Sequence, residues 1–164
     1  MRVTAAVLSN EEAKIELGLD LARRWLQAIW IEVENRDNEP YWVLMPSLDP
    51  NYFAPDEVAY ALRNQLPEQD PFETMRQLRG LAFRNPIAPR SVVSGFVFVS
   101  MDLDQKQVDV QLLSPKRSEE FVFFLPVRGL QANTLFDVEQ ARTAEPLKPV
   151  EERELRAALN ALPC

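Results

Sequence analysis

The residues best suited to chemistry lie between Leu48 and Glu57, where Asp49, Asn51 and Tyr52 stand just ahead of Asp56 and Glu57. Carboxylate, amide and phenol groups at that density can line a pocket for a polar ligand, and loops carry a disproportionate share of such sites. Asp and Asn are equally expected where a strand hands over to a helix, because their side chains cap the first N–H groups. A second group is basic: Arg76, Arg79 and Arg84, with Arg90 close behind. Guanidinium forks suit a phosphate or an acidic partner. Their ordinary role is to complement the C-terminal end of a helix while remaining solvated.

Other constellations carry less. Asp102 and Asp104 supply oxygens, but a calcium site needs six or more ligands and a loop with a correctly placed Gly; the expectation is turn carboxylates. In Glu119-Glu120 and Glu151-Glu152, acid–base work would need one carboxyl desolvated, and both pairs read as exposed. Ser91, Ser94 and Ser100 have no histidine base and no Gly-x-Ser-x-Gly setting. The chain has no histidine, and its single cysteine, Cys164, allows neither an internal disulfide nor a Cys–His nucleophile. Its four glycines, 18, 80, 95 and 129, form no phosphate cradle. The expectation is a protein without catalytic residues, metal ligands or a cofactor.

The elements that must position these residues follow from pattern. At 164 residues the chain reads as a single domain, 1–164, long enough to bury a core without staples. Val3 to Leu8 suits a strand. Ser9 and Glu12 form a capping box that opens a helix through Leu17, with Gly18 as its terminator. Leu26 to Glu34 and Tyr41 to Met45 read as strands of a hairpin around 35–40, with Trp30 and Trp42 as core fillers. Pro46 to Ala54 reads as loop. Pro55 begins a helix whose apolar face is Val58, Ala61, Leu62 and Leu66. A second helix starts at Asp70 as N-cap, with Glu73 at N3, and ends at Gly80. These two helices form an insertion, 55–83.

Asn85 to Pro89 then forces an extended approach to Ser91–Met101. That strand reads as the first half of a second hairpin, with Val108, Val110 and Leu112 alternating against Asp109 and Gln111. Phe121 to Val127 reads as a strand buried on both sides, with Pro126 at an edge or rim. Leu130 to Pro146 is irregular, and Pro149 introduces a helix with Leu155, Ala158, Leu159 and Leu162 on one face. Strands joined by polar turns, with inserted helices, predict a mainly β (α+β) antiparallel sandwich of about 1–130 and a C-terminal extension, 131–164.

The segments IWIEVEN (Ile29 to Asn35), LDPNYFAPDEVA (Leu48 to Ala59), LAFRNPIAP (Leu81 to Pro89), SGFVFV (Ser94 to Val99) and VDVQLL (Val108 to Leu113) resemble uncharacterised bacterial cell-envelope proteins, among them lipoproteins and LssY-related proteins. The resemblance covers roughly Gly18 to Gly129. It implies an immunoglobulin-like β-sandwich with an inserted helical pair, and a close backbone neighbour at Gly95. Arg90 departs from the pattern, which favours Gly there.

Charge bounds the partner. With 18 Lys+Arg against 25 Asp+Glu, the net charge of -7 argues against a broad surface for nucleic acid. No apolar run is long enough for a transmembrane segment. The leading expectation is a non-catalytic protein-interaction or structural accessory module of an envelope protein, binding another protein through an exposed strand edge or the helical insertion. Asp49, Asn51, Tyr52, Arg76, Arg79 and Arg84 are its candidate contact residues. One alternative is a small-ligand binder or hydrolase using 48–57 with the insertion as lid; another is an acidic regulator or immunity-type protein. The opening twelve residues lack a secretory pattern. The expected location is therefore the envelope or periplasm if a signal segment has been removed, and the cytoplasm if Met1 is the natural start.

Overall fold

In a computed structural model the described residues are 1–65 and 71–127, all within the unit Met1–Ala132. Two antiparallel sheets and a set of helices organise them. The first sheet contains β1 (Arg2–Val7), β2 (Leu26–Glu34), β5 (Val92–Ser100) and β4 (Tyr52–Phe53), in the order β1-β2-β5-β4. The second contains β3 (Trp42–Val43), β6 (Gln105–Leu113) and β7 (Ser118–Pro126), in the order β3-β6-β7. The helices are α1 (Asn10–Leu17), α2 (Met45–Leu48), α3 (Pro55–Leu62) and α4 (Pro71–Leu81). Among the described residues no helix is long and apolar enough to cross a membrane.

Period-two patterning builds the first core. Ile29, Ile31 and Val33 of β2 and Val97 and Val99 of β5 meet Val108, Val110 and Leu112 of β6 in one buried cluster. The opposite face of the first sheet is buried at one end only. There Leu26, Ala28 and Phe98 join Ala13 and Leu17 of α1, Val58 and Leu62 of α3, and Leu78 of α4 in a second cluster. Two-sided burial explains why Leu26 to Ile31 is nearly continuous in apolar character.

Local signals are met where short-range chemistry sets them. Ser9 Oγ accepts the Glu12 N–H at 3.2 Å, and Glu12 Oε2 accepts the Ser9 N–H at 2.8 Å. Gly18 closes α1 in the left-handed conformation, φ 69°. At Gly95 a β-carbon would lie 2.5 Å from the Phe83 backbone nitrogen, so only glycine lets that segment cross β5. Arg90 takes φ 57°, which glycine adopts without steric cost.

Several expectations are corrected. Leu26 to Glu34 and Tyr41 to Met45 form no hairpin: β2 pairs with β1 and β5, whereas β3 pairs with β6 in the other sheet. The buried Asn35 turns the chain between sheets, donating from Nδ2 to Glu39 O at 2.9 Å and Ala88 O at 3.0 Å. Likewise β5 and β6 are successive strands of different sheets, not a second hairpin. The expected loop after Pro46 contains α2 and β4. β7 is an edge strand with alternating exposure, and Val122 and Phe124 face outward at 50% and 61% exposure. Among the described residues it has no neighbour on one side and no layer over its outward face, so it is not buried on both sides. Trp42 is 40% exposed rather than a core filler. α4 runs through Gly80 to Leu81. Leu66, the Asp70 cap, Glu151-Glu152 and the features expected over 130–164, including Cys164, lie outside the described residues.

Candidate functional site

The first candidate site lies where the chain passes from β5 to β6. Lys106 stands in the same inward register as Val108, Val110 and Leu112, which carries its side chain into the interior, fully buried. Its Nζ donates to the Ser100 carbonyl oxygen at 2.9 Å, lies 2.9 Å from Asp102 Oδ2 and touches Asp49 Oδ2. An ammonium has three protons, and these three acceptors match them. Asp49 is also buried, and its Oδ1 accepts the Asn51 N–H at 2.6 Å. Asn51 in turn donates from Nδ2 to Ser100 Oγ at 3.3 Å. Tyr52 follows in β4, paired with Val99; burial, and then the nearby Glu57 charge, pushes its phenol pKa up. Two carboxylates from separate loops therefore converge on one buried cation.

The arginines are not brought together in that way. Arg76 pairs with Glu73 at 2.7 Å along α4. Arg79 reaches α3, donating twice to Asp56 at 2.7 and 2.5 Å. Its hydrogen bonds hold the Asp56 carboxyl below the usual carboxylate range. Arg84 donates to the Arg79 carbonyl oxygen at 3.2 Å, and Arg90 to Asn38 Oδ1 at 2.9 Å. Each guanidinium thus has its own partner within the chain.

Pattern reasoning missed Lys106 and a second polar cluster. Lys106 was legible as the charged member of an apolar alternation. Around the buried Tyr41, the hydroxyl donates to Asp37 Oδ2 at 3.0 Å and accepts from Arg117 Nε at 2.5 Å. Burial pushes the Tyr41 phenol pKa up. No sequence signal joins Arg117 to Asp37 and Tyr41, because folding alone makes it their neighbour.

The second candidate site is on the surface, along β1. Leu8 donates its N–H to the Ala28 carbonyl oxygen at 3.0 Å. By antiparallel alternation Ala6 and Thr4 also face β2, while Val3, Ala5 and Val7 turn their backbone groups to the outer edge. Among the described residues that edge pairs with no strand. A groove lies on each side of it. One, of about 370 Å³, is walled by Ala6, Leu8, Glu12, Glu16, Trp30 and Phe96. The other, of about 290 Å³, is walled by Ala5, Glu12, Leu125 and Pro126, and Ala6 and Val7 border both grooves. This arrangement can accept an added strand whose side chains point alternately into the two grooves. Comparison with protein-family models, curated proteins and solved structures finds no match to this chain.

Proposed function

We propose that the chain is an immunoglobulin-like interaction module that takes an extended segment of a partner protein as an additional strand beside β1. The strand order β1-β2-β5-β4 facing β3-β6-β7 supports the fold reading, since it follows the ABED and CFG orders of a constant-type immunoglobulin sandwich, with helices inserted. The observation that carries the functional reading is the β1 edge, unpaired among the described residues, with a groove on each face. Strand addition draws affinity from main-chain hydrogen bonds and specificity from pockets for alternate side chains. Small Ala5 and Ala6 leave room for those side chains, and Glu12 and Glu16 favour a segment carrying Lys or Arg. The resemblance to envelope proteins supports an envelope protein as the partner.

A library of extended peptides tests this reading. Binders are expected to alternate apolar and polar residues and to carry basic side chains. On binding, the Val3, Ala5 and Val7 amides should gain protection from hydrogen exchange. Ala5→Pro removes an edge donor without removing a ladder bond, and proline is tolerated on edge strands in that orientation. This variant should fold like the parent and lose binding. Unchanged binding by folded Ala5→Pro, or protection elsewhere, would contradict the proposed edge.

A further inference from the structure

We propose that Lys106 and Asp49 become covalently joined, by an amide between Lys106 Nζ and Asp49 Cγ. The parts for this condensation stand together in the interior. Nζ is the nucleophile: it touches Asp49 Oδ2 and is steered by the Ser100 carbonyl oxygen at 2.9 Å. Cγ of Asp49 is the electrophile. The Asn51 N–H, 2.6 Å from Oδ1, is an oxyanion donor already aimed at the oxygen on which charge builds as Nζ adds. Asp102, 2.9 Å from Nζ and half-exposed, is the proton carrier, and its exposure provides a way out for the product water.

The step balances without a co-reactant. A proton moves from the ammonium to the Asp49 carboxylate, leaving an amine and a carboxylic acid. The nitrogen lone pair forms the C–N bond, and Asp102 takes the next proton from nitrogen. Asp102 returns it to Oδ2 as the C–Oδ2 bond breaks, so Oδ2 leaves as water with two protons that began on Nζ. Asp102 ends as the carboxylate it began. One positive and one negative charge vanish together, removing the desolvation cost of an ion pair held out of water. Fixed proximity supplies the effective concentration such an amide needs, and burial protects it from hydrolysis.

The bond would tie the segment between α2 and β4 to β6, and so one sheet to the other. It is independent of strand docking at β1. Intact-mass spectrometry of the folded, full-length parent tests it first. The expected mass is that of the sequence less one water. Trypsin should then release a branched peptide joining 37–63 to 91–116, uncleaved after Lys106. Asp49→Ala and Lys106→Arg should keep the full sequence mass, as should Asp102→Ala if Asp102 carries the proton. Because the parent alone gives the deciding result, poor folding of a variant does not blunt the test. A parent that stays at full sequence mass on prolonged incubation, or water loss mapped to other residues, overturns the proposal. An Asp102→Ala protein that is still one water lighter overturns the role given to Asp102.

Discussion

Gly95 shows how much one residue can decide. The Phe83 backbone crosses β5 so closely that an added β-carbon would sit 2.5 Å from Phe83 N and 2.6 Å from Phe83 Cα. Backbone atoms cannot swing aside as a flexible side chain does. Gly95→Ala is therefore expected to destabilise the fold by about 2 kcal/mol, within the usual range for overpacking, measured as a shift in the urea midpoint with unchanged slope. A midpoint equal to the parent's would show that the crossing can relax. Asn85 offers a different residue-scale device. Its side chain accepts the Val43 N–H at 2.9 Å and donates to the Val43 carbonyl oxygen at 2.8 Å, completing the short β3 as a neighbouring strand would. Pattern alone marks Asn85 only as the residue before a proline.

At the scale of elements, α1 is the most self-contained. Its capping box satisfies two backbone donors at the N-terminus, and Gly18 donates its N–H to the Lys14 carbonyl oxygen at 3.0 Å at the other end. All of these partners lie within a few residues of one another. Ser9→Ala should cost about 1 kcal/mol, the usual loss for an N-cap, read as a lower thermal midpoint. Glu12 also walls both grooves beside β1, so this substitution should loosen peptide binding modestly as well. Full retention of stability would mean that tertiary packing, not the cap, holds the start of α1. β7 behaves differently. Its residues suit a strand, but their alternating exposure depends on only one face of its sheet being packed among the described residues, as it is for the central β6.

For the whole molecule, the described carboxylates make a pH prediction. Asp37 is held below the ordinary value of 3.8 first by the Tyr41 hydroxyl and then, against burial, by Arg117. Arg36 lowers Glu34 from its ordinary 4.5, and Arg79 lowers Asp56. For Asp20, burial acts upward but is outweighed by the Asn10 hydrogen bond and Lys14. A carboxyl with a depressed folded pKa contributes stability that is complete above its unfolded value and is lost as pH falls through the folded one. The thermal midpoint should therefore fall as pH drops below about 4, followed by circular dichroism. The net charge passes through zero near the pI of about 4.7 and is positive below it, so growing self-repulsion acts in the same sense and is weakened at about 0.15 M salt. A midpoint that holds steady or rises through this range would show that these contacts contribute no net stability.

Local order was determined by the sequence itself. The α1 caps, the span of β2, the alternation of β6 and the start of α3 at Pro55 depend on residues a few positions apart, whose sterics and hydrogen bonds act within almost any fold. Tertiary structure alone decided which sheet each strand joined. An apolar alternation states that one face is buried without saying against what, so Tyr41 to Met45 and Val108 to Leu112 read as hairpin partners of the strands before them. The candidate sites were half legible for the same reason. Asp49 and Asn51 stood out by type, whereas Lys106 was passed over although it continues the apolar period of β6, and their meeting required the chain to cross between sheets. The open edge of β1 likewise exists only because strand order left it without a neighbour among the described residues.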